Sequence, residues 1–144
     1  MTSLNITRSG GIATVTLAVP PVNAMDSTSL EELTAAFEEL ACDFKVSAAV
    51  LTGKGNAFSA GLNLKVTPDL DLAGQRRLIA ALNDCFGTLY AWPKPLVAAV
   101  NGHAIAGGMV AAAAIHCRRA GSWGVASSWT TAEVDGVGCD MTVS

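Results

Sequence analysis

The chain has 144 residues, 51% of them apolar and 15% charged, with a net charge of −3. That length fits one domain able to bury its own core, and the only adjacent basic residues are Arg76-Arg77 and Arg118-Arg119, which excludes a nucleic-acid-binding face. The polar start over residues 1–11 lacks the apolar run of a secretory signal, and the apolar stretch 96–115 is broken by Asn101, His103 and three glycines, which argues against a membrane span.

The four cysteines form no Cys-x-x-Cys pair and read as free thiols of a reducing cytoplasm. Residues 12–17 alternate apolar and small polar positions, as in a strand, with residues 5–8 as a hairpin partner turned through Ser9-Gly10-Gly11. Pro20-Pro21 stops that strand. Thr28 with Glu31, or Ser29 with Glu32, then offers a capping box, and Leu30, Leu33, Phe37 and Leu40 recur at helical spacing, so residues 28–41 form an amphipathic helix. Residues 48–52 are a short apolar strand closed by Gly53-Lys54-Gly55-Asn56. Residues 57–71 read as a loop. A long helix follows over 72–90, with Leu78, Leu82, Phe86 and Leu89 on one face, and Pro93 and Pro95 end it. Residues 96–100 are a buried strand, Asn101-Gly102 turns the chain, and 109–115 starts another helix. Strand and helix alternate throughout, which predicts an α/β layer with parallel strands. After residue 115 periodicity fades, so the chain divides into a core, 1–115, and a divergent or irregular segment, 116–144.

Two glycine-rich places could carry chemistry. Ala104-Ile105-Ala106-Gly107-Gly108 joins a buried strand to a helix start, where the first amides lack intrahelical partners and the aligned peptide dipoles are weakly positive. Such a place suits an oxygen that gains negative charge during reaction; close packing of strand on helix would need the same glycines. Phe58-Ser59-Ala60-Gly61-Leu62-Asn63-Leu64 follows another strand, and its small residues let backbone amides line a groove.

Together with Val15-Thr16-Leu17, Pro21-Val22-Asn23-Ala24-Met25, Val50-Leu51-Thr52-Gly53, Pro93-Lys94-Pro95 and Val97-Ala98-Ala99-Val100-Asn101-Gly102-His103-Ala104, these segments run in one order over residues 5–115. The pattern resembles the enoyl-CoA hydratase/isomerase family, the crotonase superfamily. The resemblance implies a crotonase-like (ClpP/crotonase) spiral of ββα units, here incomplete, and acyl-CoA thioesters as substrates in fatty-acid metabolism. It implies that the amides of Leu62 and Gly107 hold the thioester oxygen as an enolate forms. It further implies that the loop of Ala60, Leu62 and Leu64 contacts coenzyme A, with Lys65 placed to meet a CoA phosphate. Coenzyme A enters as part of the substrate, with no metal or redox cofactor, and the family assembles as trimer-type homo-oligomers.

Hydratases of this family carry a glutamate one helical turn beyond the Gly-Gly pair, where this chain has Val110. A single-glutamate isomerase is the better match, with Glu133 as its acid/base. Family domains are roughly 100 residues longer, and a frameshift after about Ala114 is one account of the tail. A fragment that binds acyl-CoA or pairs with other subunits without turnover is the competing reading. Ala57-Phe58-Ser59-Ala60-Gly61 also approaches a serine-nucleophile elbow, with His103 or His116 as base and Asp84 as third member. His103, His116, Cys117 and Cys139 match no common metal-site spacing, and no phosphate-cradle motif is complete.

Overall fold

The computed structural model describes residues 3–115 and the backbone of 117–120. Its main sheet has the strand order β1-β2-β4-β7-β9, formed by β1 (Leu4–Ser9), β2 (Ile12–Leu17), β4 (Ala48–Gly53), β7 (Leu96–Val100) and β9 (Cys117–Ala120). The first two make the expected antiparallel hairpin, and β2, β4, β7 and β9 run parallel. Parallel neighbours need crossovers, and the crossovers are α1 (Ser27–Cys42), α2 (Leu72–Tyr90) and α3 (Gly107–Ala114). The sheet therefore continues past residue 115, with Val97 to Val100 in register with 117 to 120.

Between each main strand and its helix the chain makes a short extra strand. These are β3 (Ala24–Met25) after β2, β5 (Ala57–Ser59) and β6 (Gly61–Leu62) after β4, and β8 (His103–Ala104) after β7. β3 pairs with β6 and β5 with β8, both in parallel. The repeating unit is thus strand, short strand, helix, which is the expected α/β spiral of ββα units. The stretch 57–71, read as loop from the sequence, holds two of these short strands and a 3-10 turn, Thr67–Asp69. Strands of two or three residues carry too little periodicity to be read locally; they exist because a neighbouring unit supplies the other half of each ladder.

The helices form where periodicity placed them, with different details at their ends. Asp26 caps α1 by accepting from the Ser29 amide at 2.8 Å, while the Ser29 hydroxyl accepts from the Asp26 amide at 2.8 Å. The capping box therefore lies two or three residues before the expected pairs and needs no glutamate. At the other end of α1 the Lys94 ammonium donates to the carbonyls of Leu40 and Asp43, each at 2.8 Å, which satisfies acceptors the helix itself leaves open. Trp92 closes the same layer, with its indole N–H on the Phe37 carbonyl at 3.0 Å and its ring edge-on to Phe37 at 5.6 Å. Arg77 bridges the two long helices through both oxygens of Glu31, at 2.7 and 2.6 Å. That bond holds the Glu31 carboxyl below its usual range, although both groups are solvent-facing and the pair adds little stability.

The core faces of α1 and of β2, β4 and β7 form one apolar cluster. On α2 Leu78 and Leu89 of the expected row are buried together with Ala81 and Cys85, and Leu82 and Phe86 pack partly buried against the same cluster. Burial pushes the Cys85 thiol up to about 11, against a lowering influence of the Thr34 side chain. A raised native pKa means that the folded state keeps its proton longer, so this contribution to stability is complete below the unfolded value and is lost as pH rises from about 9 toward 11. In native protein at pH 8, a thiol-reactive reagent followed by peptide mapping is expected to label exposed Cys42 quickly and Cys85 only on unfolding. Rapid native labelling of Cys85 would contradict the packing described for α2.

Candidate functional site

Two turns meet at the same end of the parallel strands. One leaves β5 through Ala60 and Gly61 into Leu62; the other leaves β8 through Ile105 and Ala106 into Gly107. Gly61 has φ of 86°, in the left-handed region that favours glycine. A Cβ on Gly61 would stand 2.8 Å from the Ile105 carbonyl and 2.9 Å from the Gly107 nitrogen. The two backbones therefore touch with no side chain between them. A Cβ on Gly107 would lie 3.8 Å from the Leu62 nitrogen, so the Leu62 and Gly107 amides are immediate neighbours.

Neither amide is taken up by the ladder or the helix around it. α3 begins at Gly107, two residues earlier than its periodicity suggested, because apolar spacing cannot register glycines. Gly107 is thus the first helical residue, and its N–H makes no hydrogen bond to another described residue. In β6, the Asn63 N–H donates to Met25 across the short ladder at 2.7 Å. Successive amides of a strand alternate sides, so the Leu62 N–H faces away from β3. The α3 dipole adds weak positive potential at the Gly107 end. Ala106, which caps α3, holds φ of 45° and ψ of −115°, a backbone conformation that side-chain-bearing residues rarely adopt.

Beside these amides lies a cavity of about 340 Å³, lined by Ala60, Leu62, Leu64, Leu82, Phe86, Ile105, Ala106 and Gly107. Its size falls within the range of small-molecule sites. Ala60, Leu62, Leu64 and Gly107 come from the expected site. Leu82, Phe86 and Ile105 do not; Leu82 and Phe86 belong to the apolar face that the 3.6-residue spacing marks, and a cavity wall and a core seam look alike in sequence.

Lys65 is exposed beside Leu64, itself 75% exposed. Val110 is 46% exposed on α3 and does not line the cavity. No titratable side chain among the described residues lines it. Glu133 and the rest of 121–144 lie outside the described residues, as do His116 and Cys139. Among the described residues no group of three or more His, Cys, Asp or Glu side chains is arranged to hold a metal, and no helix is long and apolar enough to cross a membrane.

Ser59 is fully buried, and its hydroxyl donates to the Asn23 carbonyl at 2.7 Å and accepts from the Gly61 amide at 3.1 Å. A nucleophile needs an exposed oxygen bonded to a base, so the serine-elbow reading is corrected: this hydroxyl is committed to backbone. Asn101, at the turn after β7, accepts from the Gly53 amide at 3.0 Å and donates to the Gly55 carbonyl at 2.8 Å. It ties the ends of β4 and β7 side by side and so sets the spacing from which both site turns depart.

The family model for enoyl-CoA hydratase/isomerase matches residues 7–122. The chain belongs to that family. A probable enoyl-CoA hydratase of Bacillus subtilis is 33% identical over 108 residues, covering 74% of this chain and 42% of the relative. A putative enoyl-CoA hydratase of Thermus thermophilus is 41% identical over 104 residues, covering 69% and 41%. A carnitinyl-CoA dehydratase of Escherichia coli is 37% identical over 112 residues, covering 74% and 41%. Among solved structures, Pseudomonas aeruginosa DspI superposes with a TM-score of 0.79 at 34% identity, covering 83% of this chain and 50% of its own. The chain thus spans about two fifths of the length of the curated relatives it matches and about half of that solved chain.

The close approach of the two turns leaves no room for a side chain at Gly61. Gly61→Ala combines a positive φ with a clash against backbone, and is expected to destabilise the fold by more than about 1 kcal/mol. The corresponding fall in melting temperature is about 3 °C or more by calorimetry. An unchanged melting temperature would mean that the turns are not in contact.

Proposed function

We propose that this chain binds acyl-CoA thioesters and stabilises the enolate formed at the thioester carbonyl, with the Leu62 and Gly107 amides as donors. The observation that carries the reading is the apposition of these two backbone N–H groups at one wall of an apolar cavity. Removing a proton next to a carbonyl moves negative charge onto the oxygen. Preorganised donors in a water-poor site lower the energy of that charge, and one donor is typically worth about 3 kcal/mol. The apolar walls from Leu82, Phe86 and Ile105 suit the acyl chain. Ala60, Leu62 and Leu64 would contact the coenzyme A moiety at the open side, and the Lys65 ammonium would meet one of its phosphates. Coenzyme A is then part of the substrate, and the proposal needs no metal or redox cofactor.

Within this reading, isomerisation of a 3-enoyl thioester in fatty-acid metabolism is favoured over hydration. Hydration by two carboxylates needs one where Val110 stands, and valine moves no proton. A single carboxylate, assigned here to Glu133, can take a proton from C2 and return it at C4. Binding without turnover is the second reading, and the absence of a titratable side chain among the described lining residues favours it. A cytoplasmic, trimer-type assembly belongs to the same proposal, and light scattering of purified protein tests the trimer.

Incubation with a 3-enoyl-CoA, followed through the absorbance of the conjugated product, separates the two readings. Isomerase activity is expected to fall about a hundredfold or more in Glu133→Gln; tight binding of the thioester with no product supports the binding-only reading. Gly107→Pro deletes one donor at the helix position where proline is best accommodated. It is expected to weaken the bound enolate of a β-keto thioester by about a hundredfold. Lys65→Ala is expected to weaken CoA binding a few-fold at low salt and little at high salt.

A further inference from the structure

Ser59 is tied to both turns of the site. It closes β5, shows no exposed surface, and uses every polar group it shares with the surroundings on backbone. Its hydroxyl donates to Asn23 at 2.7 Å and accepts from Gly61 at 3.1 Å, and its carbonyl accepts from the Ile105 amide at 2.9 Å. A Cβ on Gly108 would lie 2.8 Å from the Ser59 Cβ, so the first turn of α3 sits directly against it. One buried residue therefore touches the segment before β3, the turn before Leu62, and both the turn and the helix that flank Gly107.

These ties bear on the direction of the two donors. Leu62 follows a glycine, and glycine leaves the peptide before it and the peptide after it free to swivel. The Ser59 hydroxyl fixes the peptide entering Gly61, and the Asn63–Met25 bond at 2.7 Å fixes the peptide leaving Leu62. The Leu62 N–H lies between those two clamps. On the other arm, Ile105 donates to the Ser59 carbonyl, and the Ile105 carbonyl accepts from Gly108 at 2.8 Å. The Gly107 N–H lies inside that second pair of bonds. Asn23 anchors the whole from behind. It holds φ of 55°, accepts from the Val19 amide at 3.1 Å, and donates to the carbonyls of Lys54 and Ala57 at 3.0 and 2.9 Å.

We propose that Ser59 is a positioning residue for the site: its hydroxyl fixes the Leu62 turn against the segment before β3, from the same residue whose main-chain carbonyl holds the Gly107 turn, while touching no ligand itself. The inference rests on the oxyanion reading above. A group that is donor and acceptor at once is required, because Asn23 offers a carbonyl and Gly61 an N–H. Alanine supplies neither and leaves both backbone groups unpaired in a buried place. Threonine keeps the hydroxyl but adds a methyl where Gly108 already packs. Cysteine keeps the shape with weaker bonds.

Wild-type protein, Ser59→Ala, Ser59→Cys and the remote core variant Leu40→Ala are compared in three measurements. These are the dissociation constant for acetoacetyl-CoA together with the ultraviolet band of its bound enolate, the dissociation constant for a CoA thioether lacking the carbonyl, and the melting temperature. Ser59→Ala is expected to lose about tenfold in affinity for the β-keto thioester and to show a weaker enolate band, with thioether binding unchanged within twofold. Ser59→Cys falls between it and wild type, and Leu40→Ala loses melting temperature with the ligand preference intact. If Ser59→Ala does not fold, Ser59→Cys decides on the same criterion. Equal losses for both ligands, a preference retained in the Ser59 variants, or the same loss of preference in Leu40→Ala overturns the positioning role alone. A wild type that does not distinguish thioester from thioether overturns the oxyanion reading, and this inference with it.

Discussion

The site depends on a contact between two pieces of bare backbone. Gly61 lies against the Ile105–Gly107 turn so closely that a single added carbon would stand within 3 Å of a carbonyl and an amide. Two amide groups can converge on one small ligand atom only if no side chain separates the chains that carry them. Glycine at 61 and at 107 meets that condition. The parallel arrangement of β4 and β7 supplies the rest, since both turns then leave the sheet at the same end, and Asn101 ties the two strand ends together.

Close backbone contact brings polar groups out of water, and each of them has to be paired. The buried polar side chains among the described residues are Asn23, Ser29 and Ser59, and no buried side-chain nitrogen or oxygen there lacks a partner. All three sit on the path around the site. Ser29 starts α1 just after β3, Asn23 holds the turn before β3, and Ser59 joins the two site turns. Fixed polar atoms and rigid turns go together here. The strained Ala106, held by the same surroundings, places the first amide of α3. The apolar half of the site has a different origin. Helix α2 buries Leu78, Ala81, Cys85 and Leu89 in the core, and Leu82 and Phe86, partly buried against the same core, also wall the cavity, so one amphipathic helix serves both.

Much of this was legible in the chain itself. The bounds of β2 and α2 follow from periodicity, and the order of glycine-rich segments points to the family. What local reading missed has a common physical cause. The short strands β3, β5, β6 and β8 have no internal pattern because their ladders are made with segments up to 46 residues away, as in the pairing of Ala57 with His103. The start of α3 at Gly107 is hidden by two glycines that carry no apolar signal. Ser59 in isolation looks like a reactive serine, and only its neighbours reveal that the hydroxyl is fully occupied.

By itself the sequence determined which backbone positions carry no side chain, which helix faces are apolar, and that valine stands at position 110. Those are properties of single residues and of short-range spacing. Tertiary structure alone decided that Leu62 and Gly107 are neighbours, that Leu82 and Phe86 face a cavity, and that Ser59 links the two turns. Each of these is a meeting of chain segments far apart in sequence, and no local spacing encodes such a distance. It is set by parallel strands aligned side by side and by the crossovers that bring their ends together.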